Sequence, residues 1–162
     1  MDKLRLVLIA GSLFVMTAGT AMHFLYAHAR FTWPIAPINE TPWEHLKLIF
    51  WPSVFFLPAE QLITGISAGR IAAAKSVGLF VSMAFILLAF YIYLSLAGKD
   101  VFFLDIGIFI AACCLSYLVQ NAVLAAHMGL PDKGCGYIGL GTMAGVFIFF
   151  TKKAPWNRSQ DQ

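Results

Sequence analysis

Charge is scarce in this chain. Only 12% of its 162 residues are Asp, Glu, Lys or Arg, against roughly 25% in an ordinary soluble domain, and that shortage excludes a conventional water-exposed globule. Cysteine is nearly absent: Cys113 and Cys114 lie inside one apolar run and Cys135 begins another. No C-x-x-C spacing exists, so a thiolate metal site and a disulfide framework are both excluded. All three cysteines are expected to be small buried hydrophobes. There is no H-x-x-x-H pair and no H-E-x-x-H helix, hence no ready-made metalloprotease signature. Internal repeats are missing, which counts against an autonomous carrier of the inverted-repeat kind. The net charge of +3 is small and scattered, and it excludes a basic footprint for nucleic acid.

What the chain has is hydrocarbon. Sixty per cent of its residues are hydrophobic (60%) and the mean hydropathy is +0.78, which implies an all-α, polytopic integral membrane protein. A helix needs about 20 apolar residues to cross the bilayer core. About five such runs are present, at 4–26, 43–65, 76–97, 102–127 and, shorter, 135–151. The segments between them are too short to fold alone, so residues 1–162 are expected to form a single membrane domain with the lipid bilayer as its partner. The first run resembles a signal sequence ending at Ala27-His28-Ala29, but it exceeds the usual 7 to 15 residue apolar core of one and is expected to remain as an anchor.

Basic residues set the expected sidedness. Lys3 and Arg5 precede the first span, and Arg70 and Lys75 are expected to form a basic loop before the third. This favours a cytoplasmic N-terminus, as expected in the cell inner membrane, although the tail residues Lys152, Lys153 and Arg158 oppose it.

The most informative segment is Asn39-Glu40-Thr41-Pro42-Trp43-Glu44-His45, at the mouth of the second span. Ionisable groups at the edge of a hydrocarbon slab must be paired, solvated or functional, because desolvating them unpaired costs several kcal/mol. Thr41 followed by Pro42 and Glu44 reads as a capping box, with the Glu44 carboxylate returning to the cap backbone. Trp33, Trp43 and Trp51 read as interface anchors. Glu40 and His45 are not explained in that way.

Antiparallel spans bring alternate helix ends to one membrane face. His23 closes the first span, Glu40, Glu44 and His45 open the second, and Asp105 lies just inside the fourth. These five residues form a candidate cluster, able to hold a divalent metal such as Zn²⁺ or to position a general acid and base. A second polar set lies deeper. At about 100° per residue, Asp105, Ser116, Gln120 and His127 share one stripe, which could line a path or join helices by hydrogen bonds. Glu60 follows Pro52 and Pro58. It could complete a proton or ion relay with Gln120 and His127, or snorkel toward Arg70. The last run carries Gly141-Thr142-Met143-Ala144-Gly145, a small-residue face suited to packing within the bundle or between copies in a homo-oligomer.

The combination His23-Phe24-x-Tyr26, Asn39-Glu40 and Trp43-Glu44-His45-Leu46-Lys47 resembles a family of small prokaryotic integral membrane proteins of unknown function. The resemblance implies a multi-span fold and a shared motif, and no reaction. Three readings follow from the residues themselves. The first is a small-molecule or ion binding, transport-associated protein. The second is a metal-dependent enzyme on a lipid or lipid-linked substrate. The third is a structural subunit of a membrane assembly.

Overall fold

The computed structural model describes residues 3–25, 32–126 and 134–153. Six helices build it: α1 Lys3–Leu25, α2 Pro42–His45, α3 Lys47–Thr64, α4 Ala68–Ala97, α5 Phe102–Ala125 and α6 Cys135–Lys153. Only Leu46 separates α2 from α3, and its backbone is itself right-handed helical, so the two make one crossing. Among the described residues, four segments are long and apolar enough to cross a membrane: Lys3–Phe24, Pro42–Thr64, Ala68–Ala97 and Phe102–Ala125. The apolar helix over Cys135–Thr151 is shorter. The fold is all-helical and compatible with a multi-pass membrane protein, since helices satisfy every backbone polar group inside the hydrocarbon.

Contacts between named residues set the arrangement. The end of α1 meets α2 where His23 touches His45. The end of α6 meets α2 where Thr151 bonds Glu44, and the end of α4 meets the start of α5 where Tyr93 bonds Asp105. At the opposite face, Asn121 of α5 donates to the Leu4 carbonyl of α1. The α1, α4 and α6 helices therefore run one way, and α3 and α5 the other.

The third crossing starts earlier than its apolar pattern suggests. The helix begins at Ala68 rather than at 76, so Arg70 and Lys75 stand inside α4 and not in a loop. Ile71, Ala72 and Ala74 are fully buried, and this apolar, helix-favouring stretch carries the helix past both charges. Pro52 and Pro58 lie inside α3 without ending it. The Leu48 carbonyl, which Pro52 cannot serve with an N–H, faces Gly19 of α1, where a side chain would collide with it.

Close packing elsewhere also depends on missing side chains. Gly78 of α4 faces the Ser116 carbonyl of α5, and Gly136 of α6 faces the α4 backbone at Gly69 and Ala73. Gly141 and Gly145 have open space around them, so of the two uses expected for this small-residue face, packing within the bundle is not the one observed. The expectation for cysteine holds only at Cys113, which is buried. Cys114 is half-buried and Cys135 exposed, because each sits on an outward helix face.

Candidate functional site

The segment 32–40 folds over the mouth of the bundle and is held there by side chains from α3. The Trp51 indole donates to the Pro34 carbonyl at 2.9 Å. The Lys47 ammonium donates to the carbonyls of Trp33 at 3.1 Å and Ala36 at 3.5 Å, and to Glu44 Oε2 at 2.6 Å. Glu44 also accepts from the Ile38 amide at 3.2 Å and, through Oε1, from the Thr151 hydroxyl at 2.8 Å. Glu44 and Lys47 are both fully buried. The capping box is therefore absent. Thr41 makes no side-chain cap, its hydroxyl instead donating to Asn39 Oδ1 at 2.5 Å, because the buried lysine takes the Glu44 carboxylate. Trp43 is not a free interface anchor, since its ring packs against Phe147 and Phe150 of α6.

With the loop anchored, three of the five expected cluster residues come together. His23 Nε2 lies 3.2 Å from His45 Nε2. Glu40 Oε2 lies 3.4 Å from His45 Nε2 and 3.9 Å from His23 Nε2. All three ligand atoms fall within 4.8 Å of one another. Their side chains are reachable, at 41% exposure for His23, 28% for His45 and 67% for Glu40. His45 Nδ1 lies 2.9 Å from the Thr41 carbonyl. A proton on Nδ1 satisfies that contact and leaves the Nε2 lone pair facing His23 and Glu40, the orientation that metal-binding imidazoles commonly obtain from a carbonyl behind them.

These separations suit a tetrahedral ion. With Zn–N and Zn–O near 2.0–2.1 Å, neighbouring ligand atoms stand about 3.3–3.4 Å apart. Two histidines and one carboxylate also make a three-ligand set with an open fourth position. The same contacts serve as a hydrogen bond between the imidazoles, plus an ion pair to Glu40, when a proton rather than a metal occupies the space.

Glu44 and Asp105 do not join this cluster. Glu44 points into the buried pair just described. Asp105 accepts from the Tyr93 hydroxyl, which also lies 3.0 Å from Asp100 Oδ1 in the turn before α5. Hydrogen bonds from the Asp105 and Tyr93 side chains hold the Asp100 carboxyl below its usual range, with His45 adding a weaker electrostatic pull. The acidic pair is thus a neighbour of the imidazoles on the same face.

Glu60 does not snorkel toward Arg70. Its Oε1 accepts from Lys75 Nζ at 2.6 Å, and its Oε2 from Gln120 Nε2 at 2.8 Å. Lys75 also donates to Gln120 Oε1 at 3.0 Å and stands 4.7 Å from the centre of the Tyr117 ring. All three members of the triad are 1% exposed. Gln120 and Ser116 of the expected stripe are buried inward, while Asp105 belongs to the opposite face and His127 lies outside the described residues. Lys47 and Lys75 escaped the sequence reading as site residues. The signal for Lys47 was its i,i+3 spacing from Glu44. For Lys75 it was the unbroken apolar run before it.

Fold and site together define an all-helical, multi-pass protein with a histidine-carboxylate cluster at one face and a buried ionic triad near the other. The chain belongs to the family of unknown function DUF6512, whose model matches residues 2–158. No curated protein and no solved structure matches it.

Proposed function

We propose that this is a transport-associated membrane protein that binds a divalent transition metal at one face through His23, His45 and Glu40. The observation that supports the reading is the convergence of two imidazole nitrogens and a carboxylate oxygen within 4.8 Å, with a backbone carbonyl behind His45. Imidazole and carboxylate together suit Zn²⁺ and related ions. The half-exposed ligands favour binding and release over permanent structural burial.

The metal-dependent hydrolase remains the second reading, on one observation. Three protein ligands leave a coordination position for water, whose pKa a bound Zn²⁺ brings toward neutrality. The substrate class in that case is a lipid or lipid-linked molecule, reached at head-group depth.

For sidedness we infer a cytoplasmic N-terminus in the inner membrane. Lys3 and Arg5 stand beside the first helix, and the basic residues flanking the first span usually set the orientation. The open face around Gly141 and Gly145 is a contact surface suited to a second copy.

Elemental analysis and titration calorimetry of the detergent-purified protein test the metal reading. Near one equivalent of Zn²⁺ per chain, lost in His45→Ala with the helices retained, supports it. Equal binding by the natural protein and His45→Ala refutes it. Hydrolysis of phospholipid by the loaded protein, or metal uptake by vesicles that contain it, separates the two readings.

A further inference from the structure

The triad has a surrounding that a plain structural staple does not need. Beside it, Tyr117 Oη lies against Glu60 and Ser53. The oxygens of Tyr117, Ser53 and Ser12, with Asn121 Oδ1, are buried with no hydrogen bond of good geometry. Most buried polar groups in native proteins have a well-formed partner, protein or water, and these oxygens, with Tyr117 and Ser53 in poorly aligned contact with each other and with Glu60, call for a guest. They form a seam. Asn121 lies toward the face where α1 begins, through its bond to Leu4, Tyr117 packs on Gly11, and Ser53 stands two turns along α3 from Glu60. Beyond Ser53 the core is apolar, with Phe50, Ile49, Leu46 and Val15 nearly or fully buried.

Charge decides what the guest is. A cation is repelled by the Lys75 ammonium and an anion by Glu60, and the pair is neutral as a whole. That leaves water and the protons water carries. The triad sits about 6–10 Å inside the helix ends, from its positions in α3, α4 and α5. At that depth two full charges are costly, and transfer of one proton from Lys75 to Glu60 removes both at once.

We propose that Glu60, Lys75 and Gln120, with the hydroxyls of Tyr117 and Ser53, form an intramembrane proton-exchange site. In the exchange, one Lys75 N–H bond breaks and one Glu60 O–H bond forms. The ammonium-carboxylate pair becomes an amine-carboxylic acid pair, and net charge stays zero throughout. The acid O–H then trades its proton with a water of the seam in one concerted swap, the water taking the Glu60 proton at a lone pair as it returns one of its own to the carboxyl, so that neither partner is left charged. Gln120 serves both forms, because its amide oxygen accepts from lysine and its amide nitrogen donates to the glutamate. The other titratable groups of the surrounding helices are few. The α4 helix adds Arg70 near its start, and α5 adds Cys113. Lys3 and Arg5 of α1 are exposed, as are Cys135 and Tyr137 of α6; α3 adds none near Glu60.

Infrared difference spectroscopy of the protein in lipid nanodiscs tests this, with glutamate ¹³C-labelled so that only Glu40, Glu44 and Glu60 contribute shifted carboxyl bands. The blank is Glu60→Gln/Lys75→Met, which removes both charges together and so avoids an unpaired one. A protonated-carboxyl band that shifts within minutes in D₂O and vanishes from the blank supports the site. Should the blank fail to fold, Tyr117→Phe/Ser53→Ala decides, and slowing of the D₂O shift by about tenfold is expected. A Glu60 carboxyl that stays ionised wherever the helices persist overturns the proposal. So does a band that resists D₂O for hours, or one whose exchange ignores loss of both hydroxyls. Each of those results describes a sealed ion pair.

Discussion

Glu44 and Lys47 meet at 2.6 Å with neither side chain open to solvent, and through them the motif Trp43-Glu44-His45-Leu46-Lys47 acquires a division of labour. His45 faces the site, Leu46 is buried in the core, and Glu44 with Lys47 ties the loop 32–40, α3 and α6 into one knot. Glu40 is placed by that loop. A site residue on the connection between α1 and α2 would otherwise be too loosely held to hold a metal.

Removing either partner of this pair is expected to be far more damaging than the loss of a helix cap. Lys47→Met leaves a buried carboxylate unpaired, and Glu44→Gln leaves a buried ammonium, each costing about 3–5 kcal/mol. A cap alone is worth about 1 kcal/mol. Unfolding in mixed micelles measures the difference, and a loss below about 1 kcal/mol for both variants contradicts the buried pairing.

Zinc is expected to stabilise the natural protein and not His45→Ala or His23→Ala. A ligand present at 100 times its Kd and bound only to the folded state adds about 2.7 kcal/mol, which a thermal-shift series reads directly. Protons compete for the same imidazole lone pairs, so the shift shrinks as the pH falls. Glu44→Gln, if it folds, retains zinc more weakly, because Glu44 acts on the site only through the loop.

Two glycines are expected to part company. Gly78→Ala places a methyl group against the Ser116 carbonyl, and overpacking of this kind costs about 1–3 kcal/mol. Gly141→Ala meets open space and gains up to about 1 kcal/mol from helix propensity. If Gly141→Ala destabilises instead, or changes the oligomeric state in detergent, that face is occupied by a second copy.

The crossings were legible because hydropathy is a local property, and the spans at 43–65 and 102–127 lie within two residues of the observed segments Pro42–Thr64 and Phe102–Ala125. The convergence of His23 with Glu40 and His45 was legible from alternating helix direction alone. Partner choice was not. Arg70 was the expected partner of Glu60, and only the extension of α4 back to Ala68 puts Lys75 rather than Arg70 at its depth. Glu44 failed for a related reason. A capping box is a local pattern, while the groups that take its carboxylate come from position 38, three residues on, and Thr151 on α6. Asp105 was placed on the correct face, but its bond to Tyr93 is a side-chain choice across the 98–101 turn that helix direction alone does not make.

That turn supplies a pH-dependent test. Asp100 is held below its usual range first by the hydrogen bond from Asp105, then by that from Tyr93, with slight burial opposing both. A carboxylate with a depressed folded-state pKa stabilises the fold above its unfolded value of about 3.9, and the contribution is lost as the pH falls through the folded value. Tyr93→Phe removes one of the two donors. The Asp100 pKa is then expected to rise toward about 3.9, followed by ¹³C NMR of the labelled carboxyl carbon in detergent, with stability near neutral pH almost unchanged because Asp100 is exposed and screened. The acid limb of the stability curve should flatten slightly, since a carboxyl with nearly equal folded and unfolded pKa values adds no pH dependence to stability. An Asp100 titration unmoved by Tyr93→Phe means that the hydroxyl serves Asp105 alone.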